Sequence, residues 1–512
     1  MKIRLERESD RPLYLQIKDQ LREQIERGTL LPGAKLPSSR TLAQELGVSR
    51  VTVVNAYAEL EVEGLADGHV GRGTFVSNPR PRQHPPRENP FDWRTTLLRP
   101  SGVSASAMLA DMLHLAQQPD LISFALGAPA TGLLPAQTFR RAINRTLRRD
   151  GPAALQYDDA TGYPPLRRAI AASLCQAGLE TRPRDVLITS GSQQGLDLAA
   201  RVLALPGETV LTESPTYLGA LDVFQSHGLD VVGVPVDEEG MRLDRLEEIL
   251  VQRNPRIIYT ITAFHNPTGT TMTERRRRGL LRLADQYGVT ILEDGVCSEL
   301  CYEGRLPPPV RALDEGRRVV YINSFSKTLL PGLRIGYVVA SGRTRERLTA
   351  AKRATDLFTS SLLQRSLWDF LEEGHLAPHL GVIRKAYAAR RDAMFSALAR
   401  YLPPGARWTR PAGGLCLWVT LPPPIDTAQL YLTAIDHGVA FAVGAVFFPQ
   451  HPTSASLRLN FAAHPPERIG EGLRRLGQAV REELARSTDR QRSQRVRSLA
   501  PAAGALQQKG SS

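Results

Sequence analysis

The sequence predicts a multidomain chain: a small N-terminal α+β unit built on a helix-turn-helix, then a large α/β domain. Three observations predict it. Two short capped helices joined by Gly47-Val48-Ser49 precede a glycine-tipped hairpin. A proline-rich stretch from Pro79 to Pro90 then breaks all periodicity. From about residue 117, short apolar strands alternate with helical segments.

The first unit spans residues 1–78. Apolar residues recur at helical spacing from Pro12 to Ile25, and Gly28 stops the run. Ser38 caps a second helix, Arg40 to Leu46, ended by Gly47. Ser49 caps a third, Arg50 to Glu63. Asp67 to Val76 reads as a hairpin with Arg72 between two glycines at its tip. A helix entering the major groove presents its N-terminal residues to base edges, which points to Arg50, Thr52 and Val53. Arg40, at the start of the second helix, suits a phosphate, and Arg72 suits the minor groove or the backbone. Any one of these arginines alone is an ordinary solvated charge; together in this architecture they point to double-stranded DNA. The blocks Leu36-Pro37-Ser38-Ser39-Arg40, Gly47-Val48-Ser49-Arg50-Val51-Thr52-Val53 and Gly71-Arg72-Gly73-Thr74-Phe75-Val76 resemble a GntR-type winged helix.

Residues 79–116 are read as an extended, semi-rigid spacer, because prolines remove helix and central-sheet options. Residues 486–512 are polar and basic and are expected to be a disordered tail.

The large domain, 117–485, carries a set of polar residues at predicted strand ends, where α/β folds place ligands. Ser324-Phe325-Ser326-Lys327 followed by Arg334 offers an amine able to form a Schiff base, with a hydroxyl and a guanidinium for a phosphate. Ser190-Gly191-Ser192-Gln193 opens a helix whose amides can cradle that phosphate. Tyr217 can stack on a flat ring, and Asn266, in Asn266-Pro267-Thr268-Gly269, can donate to a ring oxygen. Asp294 can pair with a protonated pyridine nitrogen, and Glu293 beside it is read as structural. Arg458, inside an apolar strand, needs an anion: a ligand carboxylate or a structural salt bridge. Thr273 to Arg278 reads as the start of a helix with a solvated basic face.

This ordered set resembles the fold-type I, class I/II aminotransferases, which use pyridoxal phosphate. The resemblance implies that Lys327 holds the cofactor, Asp294 meets its ring nitrogen and Asn266 its ring hydroxyl. Tyr217 would stack on the ring, and Arg334, Ser324 and Ser192 with the Gly191-Gln193 turn would hold phosphate. Arg458 would take an amino-acid carboxylate, and Tyr157 would reach a neighbouring subunit's phosphate. One departure stands out: where the family carries a tyrosine two or three residues after the acid, this chain has Val296 and Cys297. That departure shifts the expected role from turnover toward sensing.

Winged helix, spacer and aminotransferase-like domain together resemble the MocR/GabR class of regulators. The resemblance implies a homodimer on paired DNA half-sites, answering to pyridoxal phosphate or to a small amine or amino-acid effector. The alternative is a working aminotransferase that carries a DNA-binding domain. Bulk properties agree with a cytoplasmic regulator. Net charge is +13 over 512 residues, which permits an anionic partner, but acids and bases almost cancel in residues 1–78, so DNA contact rests on a few local arginines. Four cysteines suggest no disulfide framework, no metal cluster is evident, and no apolar run reaches the ~18 residues of a membrane span.

Overall fold

The structure, a computed structural model, describes residues 3, 5–7, 11–69, 73–77, 118, 120–314, 318–450, 452 and 454–499. The spacer at 79–116 and Arg72 lie outside the described residues. The chain divides into two compact units, 1–91 and 92–512.

In the first unit, helices α1 (Leu13–Glu26), α2 (Ser39–Leu46) and α3 (Arg50–Val62) precede strands β1 (Ala66–His69) and β2 (Gly73–Val76). The caps form as their chemistry dictates. Ser38 Oγ accepts from the Thr41 amide and Ser49 Oγ from the Thr52 amide, each at 3.1 Å. Gly47 closes α2 at φ 62°, the left-handed value at which a side chain would strain. The strands pair antiparallel, with Ala66 opposite Val76. Ile17, Leu21, Leu42, Val53, Ala56, Tyr57 and Leu60 form the core, closed by Ala66 and Val76 of the hairpin. Each large apolar side chain there contributes roughly 1.5–3 kcal/mol by leaving water.

Val53 therefore does not face DNA. It is fully buried, because 53, 56, 57 and 60 fall on the inward stripe of α3. Its neighbours Val51 and Val54 are the exposed ones, at 66% and 44%.

In the second unit, β3 (Ile122–Ser123) leads to an eight-stranded sheet. The strands are β4 (Val186–Thr189), β5 (Thr209–Ser214), β6 (Asp230–Asp237), β7 (Gly240–Met241), β8 (Ile257–Thr260), β9 (Thr290–Asp294), β10 (Val319–Ser324) and β11 (Gly336–Val339). Their spatial order is β4-β11-β10-β9-β8-β5-β6-β7. Strands β10, β9, β8, β5 and β6 run parallel, and β4 shares their direction because β11 runs against both its neighbours. The predicted largely parallel sheet is thus present. The C-terminal ends of β4, β5, β8, β9 and β10 lie along one edge, and every predicted ligand turn follows one of them.

A smaller antiparallel sheet joins β12 (Arg407–Trp408), β13 (Cys416–Thr420), β16 (Ser456–Asn460) and β15 (Ala442–Val443), while β14 (Val439–Ala440) pairs with β3. Arg458 sits mid-strand on β16, opposite Trp418 of β13 and Ala442 of β15.

The helix Pro466–Leu499 runs well past Arg486, where the folded domain was expected to end. Ile469, Leu473, Leu476 and Val480 form its buried stripe, and Glu483 and Ser487 extend the same face, joined by a 2.9 Å hydrogen bond. A buried face of spacing three and four holds that turn in place despite its polar composition. Residues 500–512 lie outside the described residues. The basic helix after Thr273 also differs from expectation. Arg277 is 1% exposed and donates to the carbonyls of Met272, Thr262, Pro307 and Pro308. Arg275, Arg276 and Arg278 pair with acids nearby.

Val53→Ala should destabilise the N-terminal unit by about 1–3 kcal/mol, whereas Val54→Ala should stay within about 0.5 kcal/mol of the parent. Thermal unfolding of the full chain followed by circular dichroism measures both; equal effects would place Val53 outside the core.

Candidate DNA-contact face and lysine-centred ligand site

On α3, Arg50 is exposed at the first helical position and its Nε lies 3.3 Å from Ser39 Oγ, which joins the starts of α2 and α3. Arg40 is exposed at the second position of α2. Thr52 is half-buried, and its hydroxyl shares a 2.8 Å hydrogen bond with Ser49 Oγ. The two helix N-termini thus carry their arginines outward together. Positive helix ends and guanidinium groups on one face suit a phosphate backbone.

In the large unit, the strand-end turns converge on one cavity of about 170 Å³ lined by Lys327, Asp294, Asn266, Tyr217, Arg334 and Arg458. Ser192, Gln193 and Ser324 complete its polar wall. Gly191 stands at the cap of the helix Ser192–Leu203 with φ 91°. A Cβ there would come within 2.6 Å of Arg334 Nη2, so glycine lets the guanidinium close over the turn. Arg334 Nη2 donates to the Ser190 carbonyl at 3.3 Å. Free helix amides, two hydroxyls and one guanidinium make an anion cup at this end.

Lys327 lines the same cavity. Its Nζ donates to the Gly127 carbonyl at 2.6 Å, and no carboxylate among the described residues pairs with it. Burial holds its pKa below the usual lysine value; Cys297 opposes that shift and Arg458 adds to it. The amine is thereby brought toward the neutral, nucleophilic form.

Asp294 closes the far end. Its carboxylate accepts from the Tyr259 hydroxyl and from the Val296 amide, both at 3.0 Å. Burial pushes its pKa up to about 6, against those two hydrogen bonds. Tyr217, whose phenol is pushed up to about 12 by burial, bonds to Gln193 Oε1 at 3.3 Å, and Gln193 is fixed in turn by the Gly219 carbonyl at 2.8 Å. Arg458 is 2% exposed. It donates to Asn266 Oδ1 at 2.9 Å and to the Ala125 carbonyl, and it stacks 4.9 Å from the Phe447 ring centroid. Its Nε is buried without a hydrogen-bond partner, and no acid among the described residues forms an ion pair with it. The structural salt bridge that could have explained a buried arginine is thus not formed among the described residues.

Glu293 has the structural part expected of it, accepting from Thr262 Oγ1 at 2.6 Å and from the amides of Val310 and Arg311. Tyr157 is not brought into the cavity. It is 80% exposed and packs edge-on against Phe358 at 5.3 Å. Tyr259, Phe447 and the Gly127 carbonyl were not identifiable from the sequence. Tyr259 sits in an apolar strand where a core tyrosine reads the same way, and Gly127 reaches Lys327 across 200 positions. Positions 296 and 297 line the cavity as valine and a half-buried thiol, the latter pushed up to about 12 by desolvation. That segment offers no phenol.

A raised Asp294 means that the folded chain binds this proton more tightly than the unfolded chain does. Its contribution to stability is complete below about pH 4 and is lost as pH rises through about 6. Relative to the parent, cofactor-free Asp294→Asn should therefore gain stability across that window, by up to about 2–3 kcal/mol. Thermal unfolding of both proteins between pH 4 and 8 checks it; a difference constant with pH would refute the shift.

The family of bacterial regulatory proteins of the gntR type matches residues 13–76, and the aminotransferase class I and II family matches residues 119–476. The probable rhizopine catabolism regulatory protein MocR of Rhizobium meliloti is 31% identical over 477 residues, 93% of this chain and 95% of that protein. The aromatic-amino-acid aminotransferase 1 of Thermococcus litoralis is 40% identical over 389 residues, 75% of this chain and 93% of that protein. Among solved structures, the α-aminoadipate aminotransferase LysN of Thermus thermophilus, complexed with N-(5'-phosphopyridoxyl)-L-leucine, superimposes with a TM-score of 0.70 at 38% identity. The match covers 74% of this chain and 95% of LysN. Pyridoxal phosphate is the cofactor this kinship implies, and the cup, the desolvated amine of Lys327 and the Asp294 carboxylate fit it. With a GntR-type helix-turn-helix ahead of a class I and II aminotransferase domain over nearly its whole length, the chain belongs to the MocR-type family of transcriptional regulators.

Proposed function

We propose that this regulator binds DNA through α2 and α3. Its large domain binds pyridoxal phosphate and senses a small amine or amino acid through Schiff-base chemistry at Lys327. The observation that carries the reading is the desolvated amine of Lys327, which has no ion-pair partner among the described residues and shares one cavity with Asp294 and Arg334, in a chain that also carries a helix-turn-helix.

Bound pyridoxal phosphate supplies an aldehyde that condenses with amines and a ring that withdraws electrons. Around it, the chain's residues bind and orient. Ser192, Ser324, Arg334 and the amides after Gly191 hold the phosphate. Tyr217 covers the ring face. Asp294 holds a proton at the ring nitrogen; its carboxylate is kept in place by Tyr259 and Val296. Asn266, its carbonyl engaged by Arg458, has its amide group left to donate to the ring hydroxyl. Arg458 offers its free Nε–H to the carboxylate of an incoming amino acid. Lys327 would hold the cofactor through its amine, which in the chain alone donates to the Gly127 carbonyl.

Sensing is favoured over turnover by positions 296 and 297, a valine and a cysteine. A phenol there would hold the ring hydroxyl and help to place the proton that turnover moves; a thiol pushed up to about 12 is a weak donor. We further propose a homodimer that presents two helix-turn-helix units to paired half-sites. A ligand that exchanges with Lys327 would shift the balance between arrangements of those units.

Purified protein given pyridoxal phosphate should show a visible absorbance band that changes on adding an amino acid. Borohydride should fix one cofactor to Lys327, read by mass spectrometry, and Lys327→Ala should lose both signals. No band in the parent protein removes the sensor reading; sustained conversion of amino acid to oxo acid replaces it with an enzyme. For the DNA face, Arg40→Ala should weaken binding about equally on all sequences and lower the salt slope by about 0.9. Arg50→Ala should cost about 1–3 kcal/mol and relax preference at one position. Anisotropy titrations on duplexes selected by the parent protein measure both; unchanged affinity in the two variants would move the contact face elsewhere.

A further inference from the structure

Behind the phosphate turn lies a polar network that the assigned residues do not include. Asp356 ends the helix Gly342–Asp356. Its Oδ2 accepts from Ser190 Oγ at 3.1 Å and from Gln194 Nε2 at 2.8 Å. Its Oδ1 accepts from Lys352 Nζ at 2.7 Å, and that lysine side chain is fully buried. Gln194 Oε1 in turn accepts from the Ser190 amide at 2.7 Å. Thr359 Oγ1 adds a 3.4 Å contact to Ser190 Oγ. With Arg334 on the Ser190 carbonyl, every polar group of Ser190 is held.

We infer that the Lys352–Asp356 pair positions the phosphate cup, setting the Ser190-Gly191 turn so that the following helix amides and Arg334 aim at a phosphate. The inference rests on the reading under Proposed function. Ser190 itself is not among the residues lining the cavity, so the pair acts through the turn, as a positioning element. The charges explain why both members are needed. A lone carboxylate behind an anion cup would repel the anion, and a lone buried ammonium would be costly. Paired, they leave a neutral, rigid acceptor that fixes two donors at once. The next residues join this anchor to the chain's surface. Leu357, exposed at 57%, takes φ 61°, a left-handed value unusual for leucine, and Phe358 then packs on Tyr157. The backbone strain at Leu357 is held between two fixed points, Asp356 on the cup and Phe358 on Tyr157.

The test compares pyridoxal phosphate with pyridoxal, which has the same aldehyde and ring without the phosphate. Absorbance titrations give a Kd for each with the full-length parent, Ser190→Ala, and the charge-balanced pair Asp356→Asn with Lys352→Met. Both variants should lose about tenfold in affinity for pyridoxal phosphate and keep the parent's affinity for pyridoxal. A general structural role would weaken both ligands alike. An unchanged ratio of the two Kd values in the variants overturns the inference. Thermal unfolding shows whether the double variant folds; if it does not, Ser190→Ala decides alone. A parent protein that binds neither ligand, or both equally, instead overturns the reading of the cup as a cofactor site.

Discussion

Desolvation of the Lys327 amine, with no ion-pair partner among the described residues, is the constraint that the large domain is arranged around. A buried ammonium is costly unless paired, so desolvation drives the group toward its neutral form. Among the described residues its hydrogen bond is to a backbone carbonyl, Gly127, which tolerates the neutral amine and offers no charge to stabilise the ammonium. The two guanidinium groups at the cavity, Arg334 and Arg458, press in the same direction. Asp294, the nearby acid, is itself held by Tyr259 and Val296 and raised by burial, so it offers little compensation. The cavity thus carries two guanidinium groups, one carboxylate and a reactive amine. That set suits a ligand carrying an anion, a basic ring nitrogen and an electrophile.

The same logic explains why rigidity is concentrated around the cup. An anion site made of amides works only if the turn that aims them does not move. Ser190 is fixed from four sides, Gly191 accepts a left-handed backbone to let Arg334 close, and Gly336 leaves no room for a side chain against that turn. By contrast, Tyr157 and Leu357 stand exposed on the same unit, as apolar groups that a second subunit could cover.

The N-terminal unit reaches specificity by simpler means. Two serine caps set where α2 and α3 begin, and a small apolar core sets their angle. The arginines are then outward by default, since the inward positions are taken by Leu42, Val53, Ala56, Tyr57 and Leu60.

Local chemistry was legible in the residues alone. Caps, turns and strand ends depend on a few neighbours, so the helix starts at Ser38 and Ser49, the order of strands and the turns after them could be read directly. The residues that line the lysine-centred cavity could be read as well, because Lys327, Asp294 and the Ser192-Gln193 turn are each residue types in short motifs. What faced inward could not. Val53 looked like a base-contacting residue until helix phase turned it into the core. Arg277 looked like solvent charge until four carbonyls surrounded it. The segment after Arg486 looked disordered by composition, yet the helix runs on to Leu499 and Ser487 is buried against Glu483. Tyr259 behind Asp294, Phe447 beneath Arg458 and the Lys352–Asp356 pair behind Ser190 all join positions distant in the chain. Only tertiary packing brings such partners within hydrogen-bond reach, because burial and pairing are properties of the folded surface and not of neighbouring residues.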